Sequence, residues 1–410
     1  MNISASYQPT DRLFLWLLTR PTDPILVGEL ATVRMMRGVS MRYADSWIER
    51  GFALSEDLPL TSGEFLPTEK DSAAGAVDDA HPDRWGERVI RVLDKPTRLS
   101  LLEYLYFAGD DRFGALGVST SKEAYSPRRA GPLPTLADTA AIYELTRKVL
   151  ANEPIPAAQK RLIAPGTTMG GARPKALLTI DNEPWVVKFA DGDPIDTPLV
   201  EHASMTLARR ADIRTAETRA IRLVDGHAIA IKRFDRSGNG RVHALSANVA
   251  LKAAAESFGY PELAQLLRRR GVVEGGESTR QMRELFRRMV FNILIDNTDD
   301  HEKNHALLVN DAQQYELSPA YDVLPSGQAL GYQQMRVGMD QADSTLENAM
   351  SMCTLFSLKK DDAAHEVRRV IEAIDQWEQH FADCGVGRRD RELLVEQIDR
   401  PFLKQQRVAF

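Results

Sequence analysis

The pattern of the chain changes near residue 190, and this change limits the folds it can adopt. Two short apolar runs, KALLTI and PWVVKF, are joined by Asp181, Asn182 and Glu183, which predicts two strands linked by a tight polar turn. After them, apolar residues recur at intervals of three and four in LVEHASMTLARRA, SANVALKAAAESFG, STRQMRELFRRMVFNILI and residues 361–381. Strands followed by a series of helices indicate an α+β fold.

The part of the chain before residue 130 predicts a separate, smaller domain. Short apolar runs alternate with turn residues in RLFLWLL, RPTDP and ILVGELATV, as in a hairpin or a small mixed sheet. Helical patterns follow at residues 44–50 and 83–93, and DDRFGALGVS indicates a turn and a strand. The segment SKEAYSPRRAGPLP is rich in turn residues and suits a connection between domains. We therefore predict domains at residues 1–130 and 131–410.

Composition excludes some classes of protein. With 410 residues, 27% of them charged and a formal net charge of -6, the chain has no broad electrostatic attraction to nucleic acid or anionic membranes. Cys353 and Cys384 lie far apart and are too few for a disulfide framework, so we expect a reducing compartment. The N-terminal residues lack the features of a signal peptide, and no apolar run is long enough to span a membrane. These features predict a cytoplasmic protein.

Residues 296–305, DNTDDHEKNH, contain two enzyme signatures that exclude each other, and we call them the signature segment. His301, Glu302 and His305 fit the zinc-peptidase pattern H-E-x-x-H, whereas Asp299 and Asn304 fit the D-x-x-x-x-N spacing of a kinase catalytic loop. A zinc peptidase holds both histidines on one regular helix. The Asp and Asn residues here favour turns, so we expect the preceding helix to end before the motif. The alternative to a zinc site is that His301 and His305 have structural roles only.

The order of further motifs favours phosphoryl transfer, which needs cradled phosphates, a cation beside them and oxygen ligands for a metal. TTMGGARPK supplies Gly170 and Gly171, where backbone amides can approach phosphate. Lys188 ends the run WVVK, as a strand lysine does in kinases. Glu201 opens the next helix and is a candidate to orient Lys188, although it is equally typical of an exposed acid in a first helical turn.

Three acidic or amide residues complete this set. Asp299 is the candidate that positions or deprotonates the attacking hydroxyl, and its spacing to Asn304 favours it over the adjacent Asp300. Asp322 follows a tyrosine in LSPAYDVLPS, much as a kinase places a metal-binding aspartate downstream of the catalytic loop. Each motif alone is weak, but their common order predicts a kinase-like phosphotransferase.

The combination of GGARPKALL, VVKF, IKRFDR, NTDDHEKNHALL and LSPAYDVLPS resembles the HipA family of bacterial serine/threonine kinase toxins. VGEL, YADSWIERGFALSEDLPL, PDRWGERV and AGDDRFGALGV are similar to the N-terminal module of the same family. The resemblance implies a small N-terminal α/β subdomain joined to a bilobal kinase-like core with a mainly helical C-terminal lobe. It also implies ATP and magnesium as cofactors, a helix-turn-helix antitoxin as partner, and phosphorylation of a protein such as an aminoacyl-tRNA synthetase.

The resemblance also implies roles for individual residues. Lys188 would hold ATP phosphates, Asp299 would be the catalytic aspartate, and Asn304 and Asp322 would bind magnesium. Other positions implied to contact the nucleotide lie in the glycine-rich loop, in the adenine-lining segment and near the ribose: Gly170, Gly171, Ala172, Lys232, Phe234 and Asp235.

One position departs from the family pattern. Where the family commonly carries an autophosphorylated serine, this chain has Thr168, preceded by Thr167. We predict phosphorylation at Thr168, because threonine also accepts phosphate.

Two alternatives stay open. A small-molecule kinase shares the catalytic spacing, although such enzymes usually have H-x-D where this chain has Asn297 and Thr298 before Asp299. A protein that only binds an antitoxin should have lost the catalytic set, but all of its members are present: Lys188, Asp299, Asn304 and Asp322.

Overall fold

The computed structural model describes residues 7–128, 131–163 and 171–410. Its strands, numbered in chain order from β1 to β13, are Arg12–Leu17, Ile25–Val33, Gly38–Tyr43, Leu116–Ser119, Lys175–Ile180, Glu183–Phe189, Thr218–Arg222, His227–Lys232, Arg236–Ser237, Gly240–Arg241, His243–Ser246, Ala306–Val309 and Tyr315–Leu317. Its helices, numbered from α1 to α13, are Asp45–Arg50, Arg84–Leu93, Leu101–Phe107, Thr139–Leu150, Thr197–Arg210, Ala247–Ala253, Tyr260–Arg270, Glu277–Leu294, Leu346–Ser351, Lys360–Ile374, Trp377–Asp383, Arg388–Ile398 and Pro401–Ala409.

The chain forms two compact units. The N-terminal unit comprises Met1–Val186 and Asp235–Leu245, and the helical unit comprises Val187–Phe234 and Ser246–Phe410. The first therefore includes residues 131–186 in addition to the predicted small domain. This grouping follows spatial contacts, and the predicted domain boundary at residue 130 stays a prediction.

The N-terminal unit contains an antiparallel sheet with the strand order β3-β2-β1-β4. Leu13 of β1 pairs with Leu30 of β2, and Leu15 pairs with Val118 of β4. These four side chains are fully buried, because residues two apart on a strand point to the same face. The predicted hairpin is confirmed, as are the helices near residues 44–50 and 83–93.

Strands β5 and β6 are joined by a two-residue turn, as the sequence predicted. Asp181 and Asn182 have φ angles of 52° and 63°. Both central residues of a type I′ hairpin turn require positive φ, which Asp and Asn tolerate better than most residues. The boundary between the two compact units falls within β6, so that its last residues, including Lys188, belong to the helical unit.

The helical unit is organised around α8, an 18-residue helix. Leu285, Phe286, Met289, Val290 and Ile293 on this helix have no exposed surface. Their spacing of three and four residues is that of an apolar helical face. The helices predicted from the apolar pattern are confirmed as α5, α6 and α8, while residues 361–381 form two helices, α10 and α11.

These elements confirm the predicted α+β class. In the described part of the chain, no helix combines the length and the apolar character needed to cross a membrane.

Candidate functional site

Lys188 makes a buried contact with two carboxylates from distant parts of the chain. Its Nζ lies 2.8 Å from Oε1 of Glu201 and 2.6 Å from Oδ1 of Asp322. Strand β6 carries Lys188, helix α5 carries Glu201, and Asp322 follows strand β13. The side chains of Lys188 and Glu201 are 3% and 2% exposed, whereas that of Asp322 is 16% exposed. Of the two interpretations left open for Glu201, the structure has the contact with Lys188 and not the exposed acid of a first helical turn.

The charges of these three side chains do not cancel. Two carboxylates and one ammonium group carry one excess negative charge when all are ionised. Burial tends to lower the pKa of Lys188, but attraction to Asp322 and Glu201 outweighs it and raises the pKa above its usual value. The lysine therefore stays a cation at neutral pH. Asp322 is the more exposed of the two carboxylates, and carboxylate oxygens are ligands that magnesium accepts.

The signature segment begins two residues after helix α8 ends at Leu294, as its turn-forming residues predicted. Residues 302–304 form only a short 3₁₀ turn. Asp299 is exposed, whereas Asp300 is 2% exposed. A general base must lie within hydrogen-bond reach of the proton that it removes, which an exposed carboxylate can do for an incoming substrate. This difference supports the choice of Asp299 over Asp300, which stays a prediction.

Asp300 is held in a buried hydrogen-bond network. Its Oδ2 accepts a hydrogen bond from the hydroxyl of Tyr260 and lies 2.9 Å from Nε2 of His305. Asn292 donates to the Tyr260 oxygen at 3.2 Å, and Asn297 donates to Asn292 at 3.1 Å. Burial and the charge of Asp300 raise the pKa of Tyr260 well above its usual value, so the hydroxyl remains a donor. The network starts and ends in the signature segment and ties it to helices α7 and α8.

The histidines of the H-E-x-x-H pattern have separate structural roles. Nδ1 of His301 accepts a hydrogen bond from the backbone N–H of Lys303 at 3.2 Å, while His305 is buried against Asp300. They flank a 3₁₀ turn, whereas a zinc peptidase needs both imidazoles on one face of a regular helix. Within the described ranges, no three or more His, Cys, Asp or Glu side chains are grouped so that they could hold a metal.

Asn304 presents a buried oxygen whose hydrogen-bonding capacity is unused. The residue is 5% exposed, and its Nδ2 donates to the backbone oxygen of Asp299 at 3.4 Å. Its Oδ1 has no hydrogen-bond partner among the residues described. A buried acceptor without a partner costs free energy, which a cation ligand would offset. Magnesium prefers oxygen ligands and is often held by one or two carboxylates with water and phosphate, so Asn304 and Asp322 fit the predicted site.

Tyr321 links the two predicted magnesium ligands. Its hydroxyl donates to the backbone oxygen of Lys303 at 2.9 Å. Because Tyr321 precedes Asp322 and Lys303 precedes Asn304, this bond links the two chain segments that carry the predicted ligands. The Tyr321 ring also lies 5.4 Å from the ring of Phe234, so one residue of the predicted adenine-lining segment reaches the same region.

Two other residues predicted near the nucleotide have backbone or structural contacts. The backbone N–H of Lys232 donates to the oxygen of Glu217 at 2.9 Å. Asp235 has no exposed surface, and within the N-terminal unit its Oδ2 accepts from the backbone of Gly114 and from Arg236, each at 2.8 Å. These contacts give the Asp235 carboxylate a structural role, and its contact with ribose stays a prediction.

The glycine-rich loop is described only from Gly171 onward. Gly171 is exposed and has a φ of 46°, a left-handed conformation that suits glycine, and a Cβ at this position would meet no atom within 4 Å. Ala172 is also exposed. The phosphate contacts of this loop and its phosphorylation stay predictions, because three of the named positions lie outside the described residues: Gly170, Thr167 and Thr168.

Two residues of the site were not predicted. Tyr321 was noticed only as the aromatic residue before Asp322, and its hydrogen bond to Lys303 has no local signal. Tyr260 lies 40 residues before Asp300 in sequence, and nothing near it marks it as a partner of that carboxylate.

Known proteins resemble this chain over both parts. The HipA N-terminal domain matches residues 22–119, and the HipA-like C-terminal domain matches residues 167–378. A Sinorhizobium fredii protein named "Putative kinase Y4dM" is 32% identical over 198 residues, which are 44% of this chain and 44% of that protein. The chain thus matches less than half the length of this curated relative.

Among solved structures, the Shewanella oneidensis MR-1 complex of HipA, HipB and operator DNA contains a chain similar in fold. The TM-score is 0.64 at 16% sequence identity, with 97% of this chain and 96% of that chain covered. At this identity, the similarity concerns the fold alone.

Proposed function

The chain belongs to the HipA family, and from that premise we propose that it is an ATP- and magnesium-dependent serine/threonine protein kinase. The main support is the buried contact of Lys188 with Glu201 and Asp322. Kinases combine a strand lysine that holds phosphates, a helix glutamate that orients it and an aspartate that binds metal. The three residues here have the same types and come from the same kinds of element.

In the proposed reaction, a serine or threonine hydroxyl of a protein substrate attacks the γ-phosphorus of ATP. A bond forms between the hydroxyl oxygen and phosphorus, the bond from phosphorus to the β,γ-bridging oxygen breaks, and ADP leaves. Asp299 accepts the hydroxyl proton, and Lys188 donates hydrogen bonds to phosphate oxygens. Magnesium held by Asn304 and Asp322 would neutralise negative charge on the phosphates.

We further propose that the protein is the toxin of a toxin-antitoxin pair. Its structural relative is part of a complex with HipB and operator DNA, which supports a helix-turn-helix antitoxin as partner. The formal net charge of -6 gives little attraction to phosphate backbones, so DNA contact through the partner is more consistent with this chain than direct contact. The proposed substrate is a translation-related protein such as an aminoacyl-tRNA synthetase.

Autophosphorylation of Thr168 is the proposed means of switching the kinase off. A phosphate on Thr168 would add roughly two negative charges to a loop that is expected to hold ATP phosphates. Repulsion between these like charges would expel the loop. Mass spectrometry of the protein after incubation with ATP and magnesium should find phosphate on Thr168. Modification of Thr167 instead, or of no residue in the loop, would count against this mechanism.

The decisive experiment is incubation with γ-labelled ATP, magnesium and cell lysate, followed by identification of the labelled molecule. Asp299→Asn should abolish labelling and leave antitoxin binding intact. Asp311→Asn, at an exposed aspartate in the turn after β12, is the matched control and should label normally. Label found only in small metabolites would indicate a small-molecule kinase. Equal toxicity of Asp299→Asn and wild type would indicate a protein that acts by binding alone.

A further inference from the structure

Helix α8 ends in a left-handed conformation that glycine adopts most readily, and this chain has Asp296 there, with a φ of 60°. The N–H of Asp296 bonds to the oxygen of Ile293 at 3.3 Å, and the N–H of Asn297 bonds to that of Asn292 at 2.9 Å. This pair of bonds is the Schellman arrangement, in which the left-handed residue is usually glycine because a Cβ is disfavoured. Aspartate tolerates this conformation better than most residues, so the role of Asp296 is judged from the contacts of its side chain.

The carboxylate of Asp296 is paired with an arginine from the end of the chain. Its Oδ1 lies 2.8 Å from Nη2 of Arg400, and the two side chains are 0% and 15% exposed. Burial raises the pKa of Asp296 above its usual value, although Arg400 opposes this shift. The carboxylate therefore depends on Arg400 for compensation of its charge, and loss of one partner would leave a buried charge.

Asp296 is also connected to the residue before the proposed catalytic aspartate. Its backbone oxygen accepts from the N–H and the Oγ of Ser326 at 3.0 and 3.1 Å. The same Oγ lies 2.6 Å from Oγ1 of Thr298. A displacement of Asp296 would therefore move Thr298 and, next to it, Asp299.

The helix that follows Arg400 contacts a second part of the helical unit. In α13, Gln406 accepts from the backbone N–H of Leu346 at 2.7 Å and donates to the oxygen of Ser344 at 3.3 Å. Leu346 is the first residue of α9, at the end of the stretch that follows Asp322. Arg400 thus contacts the start of the signature segment, and helix α13 contacts the end of the stretch between Asp322 and α9.

Helix α13 lies beyond the matched family domain, which ends at residue 378. We propose that Arg400 is a positioning residue that acts through Asp296 to hold the signature segment, so that Asp299 stays in place for phosphoryl transfer. This inference rests on the proposed kinase function. It adds C-terminal residues of this chain to those on which that reaction depends.

Two single variants test the pairing of the Asp296 and Arg400 side chains without changing the backbone conformation at residue 296. Asp296→Gly keeps a residue that favours the left-handed conformation but removes the carboxylate, and Arg400→Met keeps side-chain length but removes the charge. We expect each to lower kcat roughly tenfold to a hundredfold, because small displacements of a catalytic group are costly. The KM for ATP should change little. Amide hydrogen exchange in residues 296–305 should become faster.

A matched control exists in the neighbouring helix. Nε of Arg388 lies 2.8 Å from Oε1 of Glu392, but these side chains are 87% and 62% exposed. Arg388→Met should therefore leave kcat, KM and amide exchange unchanged, because an exposed ion pair contributes little.

The double variant Asp296→Gly/Arg400→Met separates positioning from stability, because it leaves neither partner buried without the other. A melting temperature near that of wild type with kcat still lowered would support the positioning role. A double variant or Arg400→Met with wild-type kcat would overturn it. Absence of phosphotransfer in the wild-type protein would instead contradict the proposed kinase function itself.

Discussion

Nζ of Lys188 lies 2.6 Å from Oδ1 of Asp322, although 134 residues separate them in the chain. With Glu201, these residues form a buried charged cluster in which one ammonium group contacts both carboxylates. Removal of one partner from a buried ion pair is strongly destabilising, because the remaining charge is left without compensation. The same contact therefore supports the fold and places the lysine beside the proposed metal ligand.

Glu201→Gln should impair catalysis without abolishing the fold. The amide can still accept a hydrogen bond from Lys188, but among the described residues Asp322 then carries the only negative charge in contact with the ammonium group. Stronger pairing of Asp322 with Lys188 would compete with metal binding, so we expect kcat/KM to fall by roughly a hundredfold. Steady-state kinetics should show this, with the exposed Glu392→Gln as control. Unchanged kinetics in Glu201→Gln would exclude an orienting role.

Tyr260→Phe should destabilise the protein and slow phosphotransfer together. The change removes the hydroxyl that donates to Asp300 and leaves that buried carboxylate with one fewer donor. We expect a loss of about 1–3 kcal/mol in the free energy of unfolding, measured by urea denaturation. Tyr332→Phe, at a tyrosine that is 48% exposed, is the control and should be neutral. Equal stability of both variants would show that the network around Asp300 contributes little.

Activity should require magnesium and not zinc. Removal of divalent ions with EDTA should stop phosphotransfer, added magnesium should restore it, and a chelator selective for zinc should have no effect. In Asn304→Ala, the lost amide oxygen should raise the magnesium concentration needed for half-maximal rate. Phosphotransfer that persists in EDTA, or that zinc alone restores, would contradict the assignment of these ligands.

The stability contributed by Glu284 should depend on pH. Burial tends to raise the pKa of Glu284, but Arg288 and Arg214 outweigh it and lower the pKa below its usual value. Because the unfolded value is about 4.3, the stabilisation is present above that pH and is lost as pH falls through the lower folded value. Glu284→Gln should therefore cost about 3 kcal/mol at pH 7 and progressively less under acid conditions. Urea denaturation of wild type and Glu284→Gln across this pH range measures the difference in their free energies of unfolding. This difference should become smaller as the pH falls.

Elements defined by neighbouring residues were predictable from sequence. The turn at Asp181 and Asn182 and the helix α8 follow from turn chemistry and apolar spacing, which act over a few residues. Lys188 and Glu201 were identifiable because one ends a strand pattern and the other opens a helix pattern. Residues 361–381 were less clear, since the break between α10 and α11 contains neither proline nor glycine.

Contacts between distant residues could not be predicted in this way. Arg400 lies 104 residues after Asp296, and no local pattern distinguishes it from the other arginines near the C-terminus. The burial of Asp300 likewise involves Tyr260, which lies 40 residues earlier and is brought to that carboxylate by the fold. Of Asp299 and Asp300, the spacing to Asn304 favoured Asp299, which is the exposed residue.

Single-turnover transfer of phosphate from γ-labelled ATP, with magnesium present, is the most direct test of a shared site for Lys188, Asp299, Asn304 and Asp322. The rate of transfer should be measured for the wild type and for Lys188→Met, at a temperature below the melting temperature of the variant. Transfer should occur in the wild type and fall below detection in Lys188→Met, because the phosphates lose their buried cation. Transfer by folded Lys188→Met at the wild-type rate would contradict the assignment of this cluster as the phosphotransfer site.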